Sequence, residues 1–163
     1  MTTLTQADEL IAELQLLPHP EGGFYRETYR SPSAVQTLSP AEHRSAVTTI
    51  FFLLKEGQYS RLHQVDADEI WHFYEGAPLE LTWGALDGTP SETRLLGPVG
   101  AGRSPVLVVP AHAWQAARST GAYTLVGCTV APGFEFRHFK LLGDLPEVVA
   151  RVKALHPELS DLI

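Results

Sequence analysis

The sequence predicts an all-β fold, a sandwich or closed barrel with a short helix at each end, and three observations lead there. Between Val47 and Phe139 the chain is a succession of short strand-like runs: VTTIFFLL, YSRLHQV, EIWHFYEG, LELTWGAL, TRLLG, PVLVVP, WQAAR and YTLVGCTVA. The segments between them (EG, DAD, GAP, DGTP, GPVGAGRS, AHA, STG) carry turn chemistry. Short strands so closely punctuated belong to sandwiches and barrels. Helical periodicity, the third observation, is confined to the two ends. No internal repeat, linker or low-complexity tract divides the chain, so residues 1–163 read as a single domain.

The first element is a helix over about residues 5–16. Thr5 is placed as its N-cap with Asp8 three residues on, and Leu10, Ile11, Leu14 and Leu17 recur at helical spacing. Pro18 and Pro20 end it. In PHPEGGFYRETYRSP, Gly22 and Gly23 give a flexible entry to an extended run. Period two puts Tyr25, Glu27 and Tyr29 on one face and Phe24, Arg26, Thr28 and Arg30 on the other. Tyr25 and Arg26 are unusually polar for an interior strand and are placed at the mouth of a pocket. Residues 31–45 are polar and proline-bearing and read as a loop. The barrel proper spans about residues 22–142, and a second helix fits 145–155, where Val148, Val149, Val152 and Leu155 share a face before Pro157. The runs TTIFFLL and TLVGCTV are apolar on both faces, which predicts cover on both sides and a homodimer.

Composition narrows the partners. A net charge of −7 argues against a nucleic-acid surface, which needs a basic stripe, and gives no attraction to anionic membranes. No apolar run approaches the ~18 residues of a membrane span, and MTTLTQADELIAEL carries acids where a signal peptide needs a basic region. A cytoplasmic protein is expected. Cys128, the only cysteine, sits in an apolar run and reads as a buried, inert thiol.

One stretch carries chemistry. In GQYSRLHQVDADEIWHFYEG, residues 57–76, Gly57 stands six residues before His63, Glu69 six after it, and Gly76 seven after that. Further on, Pro110, His112 and Gln115 follow at intervals of two and three. This spacing resembles the two motifs of the cupin superfamily, with Val65 in place of the first motif's second histidine, His112 at a glycine position and Gln115 where the last metal histidine belongs. Together with PHPEGGFYRETYRS and VVPAHAWQAA, it is similar to a small single-domain cupin family of unknown function, over roughly residues 8–142. The resemblance implies a cupin double-stranded β-helix, or jelly-roll barrel, of the kind seen in nucleotide-sugar epimerases. It also implies a dimer and a pocket at one barrel end.

His63, Glu69 and Gln115 are the candidate ligand-binding residues, and His63 and Glu69 the candidate catalytic ones. Alternation puts Trp71 and Phe73 on the Glu69 face as aromatic walls, with His72 on the other. As a metal set, His63, Glu69 and Gln115 supply one imidazole, one carboxylate and one neutral amide. That falls short of a catalytic site and leaves room only for a weakly held divalent ion, so no cofactor is required. Three functions follow: a small-molecule binder, a metal-independent sugar or carbonyl isomerase or epimerase with His63 as general base, oriented by a carboxylate that the sequence does not locate, and a metal-dependent cupin dioxygenase or isomerase, which the ligand count disfavours.

Overall fold

In the computed structural model, which describes residues 4–38 and 41–163, Thr5 caps α1 (Gln6–Glu13) in the expected way. Its hydroxyl accepts the Asp8 N–H at 3.2 Å, and the Asp8 carboxylate accepts the Thr5 N–H at 3.0 Å. The helix stops short of residue 16 because Gln15 turns into the left-handed region at φ 54°. Leu17 therefore leaves the helical face and joins β1 (Leu17–Pro18), which pairs with β2 (Phe24–Arg30).

The polar span 31–45 is not all loop. It carries a small hairpin of β3 (Ala34–Gln36) and β4 (His43–Ser45), while residues 39–40 lie outside the described residues. The strand-like runs then follow in order as β5 (Thr48–Lys55), β6 (Tyr59–Gln64), β7 (Asp68–Gly76), β8 (Leu79–Gly84) and β9 (Glu92–Leu96). After them come β10 (Arg103–Ser104), β11 (Val106–Val109), β12 (Trp114–Ser119), β13 (Tyr123–Ala131) and β14 (Lys140–Leu141), and finally α2 (Pro146–Leu155).

Two six-stranded sheets result, ordered β1-β2-β5-β13-β7-β11 and β10-β9-β8-β12-β6-β14. From β5 to β8 and again from β10 to β14 sequence neighbours fall in opposite sheets, and this crossing back and forth makes an all-β jelly roll with flanking helices. Phe52, Leu54, Trp71 and Val126 of the first sheet pack against Leu79, Leu81, Leu96 and Ala117 of the second. The helices cover the outer faces. α1 lays Ala7, Leu10 and Ile11 on Leu53 and Leu125, and α2 buries Val152 against Leu62, Trp114 and Ala116. Leu155, expected on that buried face, is 47% exposed at the helix end.

The cupin spacing has a backbone reason. Gly57 and Gly76 adopt φ of 76° and 94°, and His112, at a position where the motif has glycine, adopts 67°. A left-handed conformation there costs an L-residue about 1–2 kcal/mol. The chain makes the turn without the residue that makes it easy.

Candidate functional site

The cavity lies at one end of the barrel, about 240 Å³ in volume, and takes its polar base from three elements. β6 brings His63 and the residue after the strand brings Val65; β7 brings Glu69; the turn before β2 brings His19 and Glu21. Phe134, Phe136 and Phe139, from the segment after β13, form an aromatic wall beside Tyr25.

Glu21 was hidden in the sequence because PHPEGG reads as a solvated turn. The turn folds inward instead: the His19 carbonyl accepts from Gly22, the Gly23 carbonyl accepts from His19, and the Glu21 carbonyl accepts from Arg61 at 2.8 Å. Gly22, at φ 111°, lies so close to β6 that a Cβ there would sit 2.0 Å from the Tyr59 carbonyl oxygen. Only glycine lets the turn press onto the barrel and drop the neighbouring carboxyl into it.

Inside, His63 Nδ1 donates to the Arg61 carbonyl at 2.8 Å, which leaves Nε2 as the basic nitrogen. Nε2 lies 3.3 Å from Glu21 Oε2, and Ser60 Oγ donates to Glu21 Oε1 at 2.9 Å. His19 Nδ1 accepts the Glu21 N–H at 3.1 Å, so its ring is held neutral, and burial pushes it down to about 3. Burial raises Glu21 to about 8 and lowers His63. Both shifts favour the uncharged forms, a protonated Glu21 carboxyl beside a neutral imidazole. Glu69 is also raised to about 7, chiefly by burial, with the His63 ring opposing and Glu21 adding.

Gln115 lies beneath the cavity rather than in its wall. It is fully buried, its Oε1 accepts the Trp71 indole N–H at 3.0 Å, and its Nε2 donates to Glu69 Oε2 at 2.6 Å. An indole only donates, so the amide orientation is fixed and Glu69 is held by a chain of bonds crossing from β7 to β12 and back. Trp71 and Phe73 do share the Glu69 face, yet both belong to the core below and do not line the cavity. Tyr25 and Arg26 stand at its edge, although the Arg26 guanidinium turns away to the Leu14 carbonyl at 3.1 Å. His72 faces the other side of the sheet, near Thr129. Cys128 is buried as expected and lines the cavity beside Glu69.

These residues do not fit a resident cupin metal. Both polar ends of Gln115 are spent on Trp71 and Glu69, Val65 offers no donor, and His63 Nε2 faces Glu21. Among the described residues one group of three His, Cys, Asp or Glu side chains brings its ligand atoms within 4.8 Å of one another and could hold an ion: Glu42, Asp66 and His138, outside the cavity. Asp66 is not the solvated turn residue its sequence context suggests, since Arg44 Nη1 lies 2.9 Å from both its oxygens.

A pH prediction follows from Glu21. Its folded value near 8 lies above the ordinary 4.5, so the folded chain binds the extra proton across that window. The associated stability is present below about 4.5 and lost as pH rises through about 8. Glu21→Gln removes this dependence. The melting temperature of the variant minus that of the parent should rise steadily from about pH 5 to about pH 9 in calorimetric scans, and a flat difference would contradict the burial of this proton.

A jelly-roll barrel with a buried acid–imidazole cavity at one end defines a cupin-type protein. The family model described as Cupin superfamily (DUF985) matches residues 8–142, and the chain belongs to that family. A hypothetical protein from Leishmania major is 31% identical, with a TM-score of 0.84 over 98% of this chain and 97% of that one. A protein from Shewanella oneidensis is 32% identical, with a TM-score of 0.82 over 98% and 95%. Bacillus subtilis oxalate decarboxylase, at 18% identity and a TM-score of 0.59 over 90% of this chain and 36% of that one, shares the fold alone. No curated protein matches the chain.

Proposed function

We propose that the chain binds a small organic molecule in the barrel cavity, its polar head toward His63, Glu21 and Glu69 and its apolar body against the phenylalanine wall. The observation that carries this reading is a concave, largely apolar cavity in which buried, pKa-shifted groups converge, the usual form of a ligand site. Gln115 acts through Glu69, holding it in place. Its volume, about 240 Å³, suits a ligand on the order of ten non-hydrogen atoms, given ~30 Å³ per water in the liquid. Native mass spectrometry of freshly purified protein should show an adduct that Phe139→Trp, by filling the cavity, removes. An adduct unaffected by that change would place the ligand elsewhere.

The Glu21–His63 pair favours a second reading, a metal-independent isomerase or epimerase. His63 Nε2 is the general base and Glu21 the group that holds or returns the proton, a carboxyl role that the sequence left unassigned. Solvent deuterium entering the recovered ligand at carbon, and lost in His63→Gln, would support it. Recovery without deuterium would leave binding alone.

We also propose a homodimer, through the part of the outer face of the β5–β13 sheet that α1 leaves open. α1 of the same chain covers Leu53 and Leu125. What remains open on that face is the row Tyr29, Thr49, Thr129, Ile70 and Val108, paired in register across five strands with no charged side chain. Tyr29 and Val108 are each 51% exposed. A two-fold contact on this row suits the face. Light scattering should give a dimer mass, and Thr129→Lys a monomer with the far-ultraviolet spectrum unchanged; a monomeric parent would refute the dimer.

A further inference from the structure

Among the described residues no lysine or arginine is hydrogen-bonded or ion-paired to either acid at the base of the cavity, although the Arg61 charge acts on Glu21 electrostatically. Glu21 is met by Ser60, His63 and His19, and Glu69 by the Gln115 amide and the Cys128 thiol. The nearby arginines are engaged elsewhere. Arg61 bonds the carbonyls of Pro20 and Glu21 from outside, at 2.7 and 3.4 Å. Arg26 turns to the end of α1. Arg30 is held by both Glu27 oxygens at 2.9 Å, by Glu135 at 3.3 Å and by the Phe134 carbonyl at 2.8 Å.

Much of the remaining lining is apolar, aliphatic at Leu17, Ile50, Val65 and Val130 and aromatic elsewhere, with Glu27, Arg30 and Glu135 paired to one another at its edge. The rings of His63 and Phe139 stack at 5.5 Å, and Phe134 and Phe136 meet edge to face at 4.9 Å. His19 stands edge-on to Tyr25 at 4.5 Å. Buried acids are normally neutralised by a paired cation or by a proton, and aromatic faces attract cations.

We infer that the ligand bound in this cavity carries a positive charge: a small organic ammonium whose head lies opposite Glu21 and Glu69 and whose body lies against Phe134, Phe136 and Phe139. The inference rests on the binding reading above and adds the sign of the ligand's charge. An ammonium entering the site favours the ionised form of both acids, any proton they carry passing to water, and so sets two carboxylates opposite one cation in a low-dielectric space, where attraction is strong. A carboxylate ligand would meet these two acids, while the arginines at the edge, Arg26 and Arg30, are already bonded elsewhere. A neutral alcohol would gain hydrogen bonds without the Coulombic part. The chain's net charge of −7 also draws cations rather than anions toward its surface.

Three probes of one shape separate these cases: benzylammonium, benzyl alcohol and benzoate, titrated calorimetrically into the full chain at low salt. Benzylammonium should bind about tenfold tighter than benzyl alcohol or more, with benzoate weakest. Glu21→Gln and Glu69→Gln should each cost benzylammonium about tenfold while moving benzyl alcohol by no more than about twofold. Each variant is first matched to the parent by circular dichroism, and if one does not fold the other carries the comparison. Parity of ammonium and alcohol, or preference for benzoate, would overturn the charge inference and leave the binding reading standing. Failure of all three to bind, or binding that persists in Phe139→Trp, would overturn both.

Discussion

Arg44→Ala should lower the melting temperature by roughly 10 °C. Arg44 is only 3% exposed although it is charged. Its Nη1 reaches both oxygens of Asp66 at 2.9 Å, and its Nε and Nη2 donate to the Gly133 carbonyl at 3.1 and 2.6 Å. Alanine leaves a half-buried carboxylate and a buried carbonyl without their donor, a class of change that costs about 3–5 kcal/mol. In a chain of this size each kcal/mol moves the midpoint by about 2–4 °C. Arg44→Lys should recover only part, because one ammonium cannot span Asp66 and Gly133 together. Gly133 leads directly into Phe134 and the cavity wall, so ligand affinity should fall in step. A shift under about 3 °C by scanning calorimetry would show that the cluster holds nothing together.

The barrel was legible because its signals are local. Turn residues between strand-like runs placed the strands, and the Thr5–Asp8 spacing placed the helix start, because each depends on neighbours within a few residues. What needed distant partners was not legible. The hairpin at 34–45 forms in a polar stretch in which Val35 pairs with Arg44, and that arginine is fixed by Asp66 and Gly133, far along the chain. The two-sided apolar character of TTIFFLL and TLVGCTV was read correctly as a need for cover, yet the sequence does not say who provides it. The cover over Leu53 and Leu125 is α1.

The site divides in the same way. Period two put Glu69, Trp71 and Phe73 on one face, and they share it, but alternation reports the face of a strand and not the depth along a barrel. Glu69 stands at the cavity floor, while Trp71 and Phe73 lie in the packed core under it. Glu21 has no periodic signature. It reaches His63 only because two left-handed glycines fold its turn onto β6. The one hint was a pair of glycines directly after a carboxylate, which serves an exposed turn equally well.

Val65→His with Gln115→His should give the cavity a metal affinity that the parent lacks. Val65 already lines the cavity beside His63 and is 6% exposed, so an imidazole there enters the same space. Gln115 stands directly across from His63 in the β6–β12 pairing and 2.6 Å from Glu69, so an imidazole there approaches both. With native His63 and Glu69 the set becomes three nitrogens and one oxygen, which suits zinc, nickel, manganese or iron. The exchange has costs. Trp71 loses its acceptor and Glu69 its donor, and the Glu21 carboxyl must yield His63 Nε2 to the ion. Residues that only orient a metal's ligands are worth about tenfold to a hundredfold in metal affinity, and two added imidazole ligands should exceed that despite these losses. Calorimetric titration with zinc should therefore show tight, near-stoichiometric binding in the double variant and weak binding in the parent, with a raised melting temperature only when zinc is present. Glu21→Gln alone should create no such affinity, because it removes a competitor for the imidazole without adding a ligand. A parent chain that keeps stoichiometric metal through chelation and dialysis would reverse the reading of Val65 and Gln115, and with it the assignment of the His63–Glu21 pair to proton chemistry.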